Sequence, residues 1–307
     1  MAFTAKDVQL LRERTGVGMM DCKKALTQTD GDMEKAIDIL REKGLAAAAK
    51  KSGRIAAEGM VYAYVDNAKK VGVVVEVNAE TDFVAKNADF QAFVKTVAEI
   101  VADKNPADIA ALMECPFEGG QTVADALRDK ILVIGENLSI RRFLRYEGDV
   151  VAYVHGGGRI GVLVRFDADA ACAASAELQE CGKDVAMQIA ALNAAYLSKE
   201  TVPADAIEKE KEILIAQIKN DPKNASKPEQ IIHKMVDGRI GKFYENNCLM
   251  QQAFVKNGDV TVEQYVADMA KKAGGTMKVV EYVRFEKGEG LQKREDNFAD
   301  EVASMMK

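Results

Sequence analysis

The sequence of 307 residues predicts an α+β protein, in which a three-helix bundle precedes a duplicated core of antiparallel β-hairpins packed with helices. Three observations lead to this fold class. The first 54 residues have helical periodicity and a net charge of +3, against −9 for the rest of the chain. Near residue 59 the apolar period changes from that of a helix to that of a strand. The hairpin at residues 61–77 then returns 89 residues later.

The composition limits the classes of protein to be considered. Apolar residues make up 48% and charged residues 29%, which is typical of a globular protein. Apolar runs are far shorter than a membrane span, and the first residues lack the apolar stretch of a signal peptide. A net charge of −6 argues against direct nucleic-acid binding, and five scattered cysteines without CxxC are typical of reduced thiols. We therefore expect a cytoplasmic protein with no membrane or nucleic-acid partner.

Residues 1–54 are predicted to form a three-helix module. Thr4 and Asp7 have the spacing of a capping box at the start of the first helix. Glycines at 16 and 18 separate it from a second helix near residues 20–27. Asp32 can cap a third helix, which is expected to end at Gly44, and residues 45–53 are expected to add one or two turns before a mobile linker.

The core is predicted from strand periodicity and an internal repeat. Residues 60–65 and 71–77 indicate a β-hairpin, and Asn87 can cap the helix that follows. That helix has an apolar face of Phe90, Phe93, Val94, Val97 and Val101. VYAYVDNAKKVGVVVEV aligns without gaps with VVAYVHGGGRIGVLVRF at 150–166, with 7 of 17 positions identical. A helix also follows the second hairpin, so two similar halves are expected.

Further segments complete the predicted architecture. Strands near 138–144 and 279–285 could extend the two sheets, and a narrow apolar stripe over 206–243 indicates an inserted helical hairpin that projects from the fold. An acidic amphipathic helix is expected after residue 291. The predicted domains are the N-terminal module, core subdomain N, the discontinuous core subdomain C, the helical hairpin and the C-terminal helical module: 1–54, 55–147, 148–202 with 250–290, 203–249 and 291–307.

Motifs of enzyme chemistry are weak or missing. GGGRIG at 156–161 satisfies GxGxxG, but the dinucleotide fingerprint needs a following helix, and a strand is predicted here. No P-loop occurs, and His155 and His233 have no zinc ligands at suitable spacing. We therefore expect no cofactor, no metal and no catalytic residue, hence no enzyme. Two alternatives stay open: a nicotinamide-nucleotide-dependent oxidoreductase that uses GGGRIG, and a ubiquitin-like adaptor that uses only residues 1–54.

Two apolar positions stand out from the core pattern. Phe83 lies on the polar turn 78–86, next to Asp82 and outside the apolar face of the following helix. It is either a hydrophobic staple folded onto its own helix or an exposed ring that meets a partner. Met19 and Met20 are adjacent on a helix, so at least one is expected to be exposed, and exposed methionine forms an adaptable contact surface.

Four segments together resemble the bacterial translation elongation factor Ts family, the guanine-nucleotide exchange factors of the GTPase elongation factor Tu. LRERTGVGMMDCKKAL at 11–26 resembles the ubiquitin-associated-like N-terminal module of that family. EVNAETDFVAKN at 76–87 resembles its most specific motif, although Ala79 stands where the family often has cysteine. YVHGGGRIGVLV at 153–164 and EYVRFEKGEG at 281–290 resemble its second hairpin and C-terminal strand.

The resemblance implies a mode of action. The partner would be GDP-bound elongation factor Tu, which acts in translation. A tip that dislodges Mg²⁺ from this partner is implied to consist of Thr81, Asp82, Phe83 and Val84. The residues implied to make further contacts with that partner are Arg12, Met19, Met20 and His155. The C-terminal helix would add a contact. The helical hairpin would serve either partner contact or self-association, in a homodimer or a 2:2 complex.

Overall fold

The computed structural model describes residues 3–224 and 227–292 and has the α+β architecture expected from the sequence. The helix expected after residue 291 lies outside the described residues. The N-terminal bundle consists of α1 (Ala5–Thr15), α2 (Met19–Gln28) and α3 (Met33–Lys51). Thr4 and Asp7 form the expected capping box, and a separate apolar cluster, which includes Leu11 and Leu26, holds the three helices together.

The first half of the core is a three-stranded antiparallel sheet covered by helices. Its elements are β1 (Glu58–Asp66), β2 (Val71–Ala79), α4 (Asp82–Ala85), α5 (Ala88–Lys104), α6 (Ile109–Met113), α7 (Val123–Ile134) and β3 (Ser139–Glu147). The strand order is β1-β2-β3. Asn87 caps α5 as expected, since its Oδ1 accepts from the backbone N–H of Asp89 at 2.8 Å and of Phe90 at 3.1 Å.

The second half repeats this plan. Its elements are β4 (Asp149–His155), β5 (Ile160–Ala168), α8 (Ala170–Ala173), α9 (Ala176–Leu192), α10 (Ala204–Asn220), α11 (Glu229–Asn247), β6 (Ala253–Phe254), β7 (Asn257–Thr261), α12 (Val262–Ala273) and β8 (Met277–Glu286). The strand order is β4-β5-β8. The bulge between Glu76 and Val77 recurs between Arg165 and Phe166, at the same place in the repeat. The predicted duplication is therefore confirmed, with β3 and β8 as the strands that complete the sheets.

The two sheets pack face to face with approximate two-fold symmetry. Their contact is an apolar cluster that includes Val61, Val150 and Leu163. Gly72 packs against Val150, and its repeat equivalent, Gly161, packs against Val61. A side chain at either glycine would collide with the opposite valine. Glycine is therefore needed at both positions for the close approach of the sheets.

The prediction that the third helix ends at Gly44 was wrong. α3 continues through Gly44 to Lys51 and packs against α7. A Cβ at Gly44 would lie 3.8 Å from the carbonyl oxygen of Arg128 and from the side chain of Leu132, so the glycine allows the two helices to approach closely. The one or two turns expected over residues 45–53 are therefore part of α3 itself, and this helix joins the bundle to the core.

The inserted hairpin of α10 and α11 has its own small core. Leu214, Ile218, Ile232, Val236 and Ile240 are buried between its two helices. This confirms the narrow apolar stripe expected from the sequence. Within 3–224 and 227–292, no helix has the length and apolarity needed to cross a membrane.

Candidate functional site

The turn after β2 carries the most exposed large apolar side chain in the described part of the chain. Phe83 lies in the four-residue helix α4, and 77% of its surface is exposed. The ammonium of Lys86 lies over the ring, 5.6 Å from its centroid. The ring does not fold onto α5, so the staple interpretation was wrong for the free protein. An exposed aromatic ring is available to a partner.

Val84 differs from its three neighbours in the tip, which we define as residues 81–84. Its side chain is only 6% exposed and belongs to the apolar core under the first sheet. It therefore cannot offer its side chain to a partner without leaving that core. Instead, it fixes α4 to the sheet and leaves Phe83 on the outside.

The tip is tied to a distant loop by charged hydrogen bonds. Thr81 donates to the carboxylate of Glu136 from its backbone N–H at 2.9 Å and from its hydroxyl at 2.7 Å. The carboxylate of Glu80 accepts from the backbone N–H of Asn137 at 2.6 Å and from the guanidinium of Arg54 at 3.3 Å. Sequence reasoning missed Glu136 because it lies 55 residues from Thr81 and belongs to no motif or apolar period.

Asp82 gives the tip a negative charge beside the exposed ring. Its side chain is exposed and forms an ion pair with Lys86 at 2.9 Å. The hydrogen bond from Lys86 holds the pKa of Asp82 below its ordinary range. The carboxylate is consequently ionised at neutral pH, next to an apolar ring that is open to solvent.

The sequence-predicted residues of the N-terminal bundle are all on its surface. Met19 and Met20 open α2 and are 42% and 63% exposed, while Arg12 is exposed on α1. At least one exposed methionine was expected, and the structure exposes both. Cys22, one turn further along α2, points into the bundle core instead.

His155 ends β4 at the glycine turn. The imidazole is exposed, and its Nδ1 lies 2.9 Å from the hydroxyl of Tyr153. Gly156, Gly157 and Gly158 all have positive φ, and β5 follows directly. GGGRIG therefore closes a hairpin and is not a dinucleotide fingerprint, because no helix begins there to meet a pyrophosphate.

The tip and the glycine turn both lie beside the beginning of β1. Glu58 pairs with Ala79, which immediately precedes Glu80 and the tip. Val61, three residues along β1, donates its backbone N–H to the carbonyl oxygen of Gly158 at 2.8 Å. The structure thus brings the tip and the turn near His155 to one end of the core, while Arg12, Met19 and Met20 lie on the separate N-terminal bundle.

Metal and thiol chemistry find no support in the described residues. Within 3–224 and 227–292, no three His, Cys, Asp or Glu side chains are grouped so as to hold a metal ion. All five cysteines are free thiols, and four of them are buried. Burial raises the pKa of Cys181 to about 12, which disfavours the reactive thiolate.

Comparison with known proteins gives a consistent result. The family model described as Elongation factor TS matches residues 80–289. Elongation factor Ts of Clostridium botulinum is 51% identical over 307 residues, covering 99% of this chain and 99% of that protein. Elongation factor Ts of Clostridium perfringens is 52% identical over 307 residues, again with 99% of both chains covered. Elongation factor Ts of Clostridioides difficile is 51% identical with the same coverage.

Proposed function

The chain belongs to the elongation factor Ts family and is a translation elongation factor, and we propose that it acts as the guanine-nucleotide exchange factor of elongation factor Tu. The observation that carries this proposal is Phe83. Its ring is 77% exposed within ETDF, the segment that resembles the most specific motif of the family. Burial of a large apolar side chain that is otherwise exposed to water lowers the free energy, and it therefore favours binding of a partner.

In this proposal, Thr81, Asp82 and Phe83 press against the switch-side helices of the GDP-bound partner. The pressure dislodges Mg²⁺, which is the largest local positive charge on the phosphates, and GDP then leaves so that GTP can bind. Burial of the Phe83 ring contributes about 1.5–3 kcal/mol. At about 1.4 kcal/mol per factor of ten, that free energy corresponds to roughly one to two decades in rate. A larger acceleration needs additional contacts.

The physical basis of exchange is a reciprocal coupling. An exchange factor binds best to the state of the GTPase that binds GDP poorly, so GDP weakens the binding of the factor by the same ratio. The factor shortens the lifetime of the GDP complex, but it does not decide which nucleotide replaces GDP. In the proposed role, the chain makes and breaks no covalent bond, and in this sense it is not an enzyme.

Further contacts are proposed from the exposed residues outside the tip. Arg12, Met19 and Met20 would dock the N-terminal bundle on the nucleotide domain of the partner, and exposed methionines suit such a surface because they repack easily. His155 would contact the partner from the second half. The helical hairpin exposes Ile213 and Ile231, which could serve the same partner or a second copy in a homodimer or 2:2 complex.

The division into domains and the cellular location are also proposals. We retain five parts: 1–54, 55–147, 148–202 with 250–290, 203–249 and 291–307. The packing of α3 on α7 means that removal of residues 1–54 would also uncover part of the core. A cytoplasmic location suits a partner that acts in translation. No direct nucleic-acid or membrane contact is part of the proposal.

The two alternatives have lost support. An oxidoreductase needs a helix after GGGRIG, and β5 follows it instead. An adaptor that uses only residues 1–54 does not account for a family match over residues 80–289. The decisive experiment is release of fluorescent GDP from purified elongation factor Tu, measured with and without this chain. We expect a large acceleration, and an unchanged release rate would overturn the proposed function.

A further inference from the structure

We propose that Glu136 is a positioning residue of nucleotide exchange, which acts by fixing the tip through Thr81. The proposal rests on the proposed function and adds a residue outside the tip itself. Glu136 follows Gly135, whose φ of 84° ends α7, and lies in the short connection to β3. It is half-buried and 55 residues from its partner in the sequence.

Both carboxylate oxygens of Glu136 are used by Thr81. Oε2 accepts from the backbone N–H at 2.9 Å, and Oε1 accepts from the hydroxyl at 2.7 Å. Hydrogen bonds to an ionised acceptor are about twice as strong as neutral ones, and two of them from one residue fix its orientation as well as its position. The contact therefore determines the direction in which the chain enters α4.

Asn137, next to Glu136, makes a further contact in which the loop is the donor and the segment before the tip is the acceptor. The carboxylate of Glu80 accepts from the backbone N–H of Asn137 at 2.6 Å, and the side-chain amide of Asn137 donates to the carbonyl oxygen of Arg54 at 2.8 Å. Each segment thus supplies one carboxylate that accepts hydrogen bonds from the other segment. We call these contacts the clamp, and it consists of Glu80, Thr81, Glu136 and Asn137. Arg54 follows α3 by three residues, so the clamp also joins the tip to the chain leaving the N-terminal bundle.

The clamp replaces an ordinary helix cap. Thr81 is the N-cap residue of α4, but its side chain makes no capping bond to that helix. In the second half, the equivalent residue Asp169 caps α8 by accepting from the backbone N–H of Cys172 at 3.0 Å. A helix of four residues is not stable by itself, so the direction of Phe83 depends on the burial of Val84 and on the clamp.

Loss of the clamp would lower the fraction of molecules in which the tip has the orientation needed for exchange. If the clamp opens, the tip samples several directions, and the observed rate falls with the fraction that keeps the competent one. The clamp lies behind the tip, so its loss changes the pose of Phe83 without removing the ring from the surface. We therefore expect the maximal rate to fall while the contacts that give affinity remain.

The experiment compares four variants of the full chain. Glu136→Gln keeps the shape of the side chain but has only one accepting oxygen for two donors, and Thr81→Val removes only the hydroxyl. Thr81→Ser keeps the hydroxyl and is the conservative rescue. Thr276→Val is the matched control, because the hydroxyl of Thr276 donates to the carboxylate of Asp169 at 3.0 Å in the second half, where no aromatic side chain is presented.

Two measurements decide the outcome. In stopped-flow GDP release, titrated with elongation factor Tu–GDP, Glu136→Gln and Thr81→Val should lower the maximal rate about tenfold. The half-saturating concentration should change by less than about a factor of two. Hydrogen exchange of the free protein over residues 80–86 should become faster in the same two variants. Thr276→Val should stay close to the original protein in both measurements, and Thr81→Ser should keep a higher maximal rate and slower hydrogen exchange than Thr81→Val.

The failures of the two proposals can be told apart. If the unchanged chain does not accelerate GDP release, the proposed function is wrong. If it does, and Glu136→Gln and Thr81→Val keep the original maximal rate, only the positioning role is wrong. An effect confined to the half-saturating concentration, or unchanged hydrogen exchange over residues 80–86, would also overturn the positioning role.

Discussion

The tip and its counterpart, residues 169–172, occupy the same place in the two halves of the core but present different surfaces. Each follows the middle strand of a three-stranded sheet, opens a four-residue helix and leads to a helix of 17 residues. Where the tip exposes Phe83, the counterpart exposes Ala171. The fold therefore does not require an aromatic side chain at this position.

The buried residues of the two turns, unlike the exposed ones, are alike in both halves. Val84 in the tip and Cys172 in the counterpart are equivalent, and both are buried in the core of their own half. This position is therefore set by packing, which explains why Val84 does not share the exposure of Phe83. The duplication thus separates what the fold needs from what only the tip has. The exposed ring belongs to the second group. The counterpart has a tie of its own, but its carboxylate is on the turn itself, where Asp169 accepts from the backbone N–H and the hydroxyl of Thr276.

The largest expected effect concerns stability and sharpens the contrast between a core ring and the tip ring. Phe93 on α5 is 2% exposed and packs in the first core, near Phe117. Phe93→Ala should lower the free energy of unfolding by about 3–5 kcal/mol, because it leaves a cavity in a packed core. Urea denaturation measures this value. In the same experiment, Phe83→Ala should cost less than about 0.5 kcal/mol, as expected for an exposed position.

The second expected effect separates the tip from the counterpart by activity. Phe83→Ala should slow stimulated GDP release by roughly one to two decades, if the whole burial of the ring acts on the transition state. The melting temperature should change little, because the ring is already solvated in the free protein. Stopped-flow GDP release and a melting curve check both statements. A variant that melts many degrees lower, yet exchanges nucleotide at the original rate while folded, would rule out the role of the ring.

A smaller effect is expected when the aromatic ring is copied to the counterpart. Ala171→Phe introduces an exposed ring on a turn that lacks the clamp and is not expected to face the nucleotide domain. The rate of stimulated GDP release should stay within about a factor of two, both in the original chain and in a chain that already carries Phe83→Ala. If Ala171→Phe restored exchange to the Phe83→Ala chain, the two turns would be interchangeable and their comparison would lose its meaning.

The sequence allowed the local features of both turns to be predicted, but not their long-range ties. Caps at Thr4 and Asn87, the strand alternation and the helix faces follow from patterns within a few residues. The internal repeat added the pairing of the two halves. The same reasoning placed a helix end at Gly44, because a glycine that permits close helix packing has the same appearance in the sequence as a helix-ending one.

The missing part of the candidate site depends on contacts between distant segments. Glu136 becomes recognisable only when the end of α7 is seen beside the tip, and the helix α7 itself was not foreseen. Likewise, nothing in the order of Asp82, Phe83 and Val84 tells which side chain packs inward. The fold decides this by placing Val84 over the apolar face of the sheet.

The smallest expected effect is electrostatic and tests how each turn holds its carboxylate. The pKa of Asp82 is lowered mainly by the hydrogen bond from Lys86, whereas the pKa of Asp169 is lowered mainly by hydrogen bonds from the backbone of Cys172 and Thr276. Because both values are depressed in the folded protein, each carboxylate contributes stability above its unfolded pKa and loses it as the pH falls through the lower folded pKa.

Added salt should distinguish the two carboxylates. It screens the exposed ion pair of Asp82 and Lys86, but it affects fixed backbone donors much less. In a carboxyl ¹³C titration, the pKa of Asp82 should therefore rise towards its ordinary range at high salt, while that of Asp169 should move less. Lys86→Met should raise the pKa of Asp82 at low salt and remove most of its salt dependence. If salt shifted the pKa of both carboxyl groups equally, the two turns would hold their charges in the same way. The proposed electrostatic difference between them would then be contradicted.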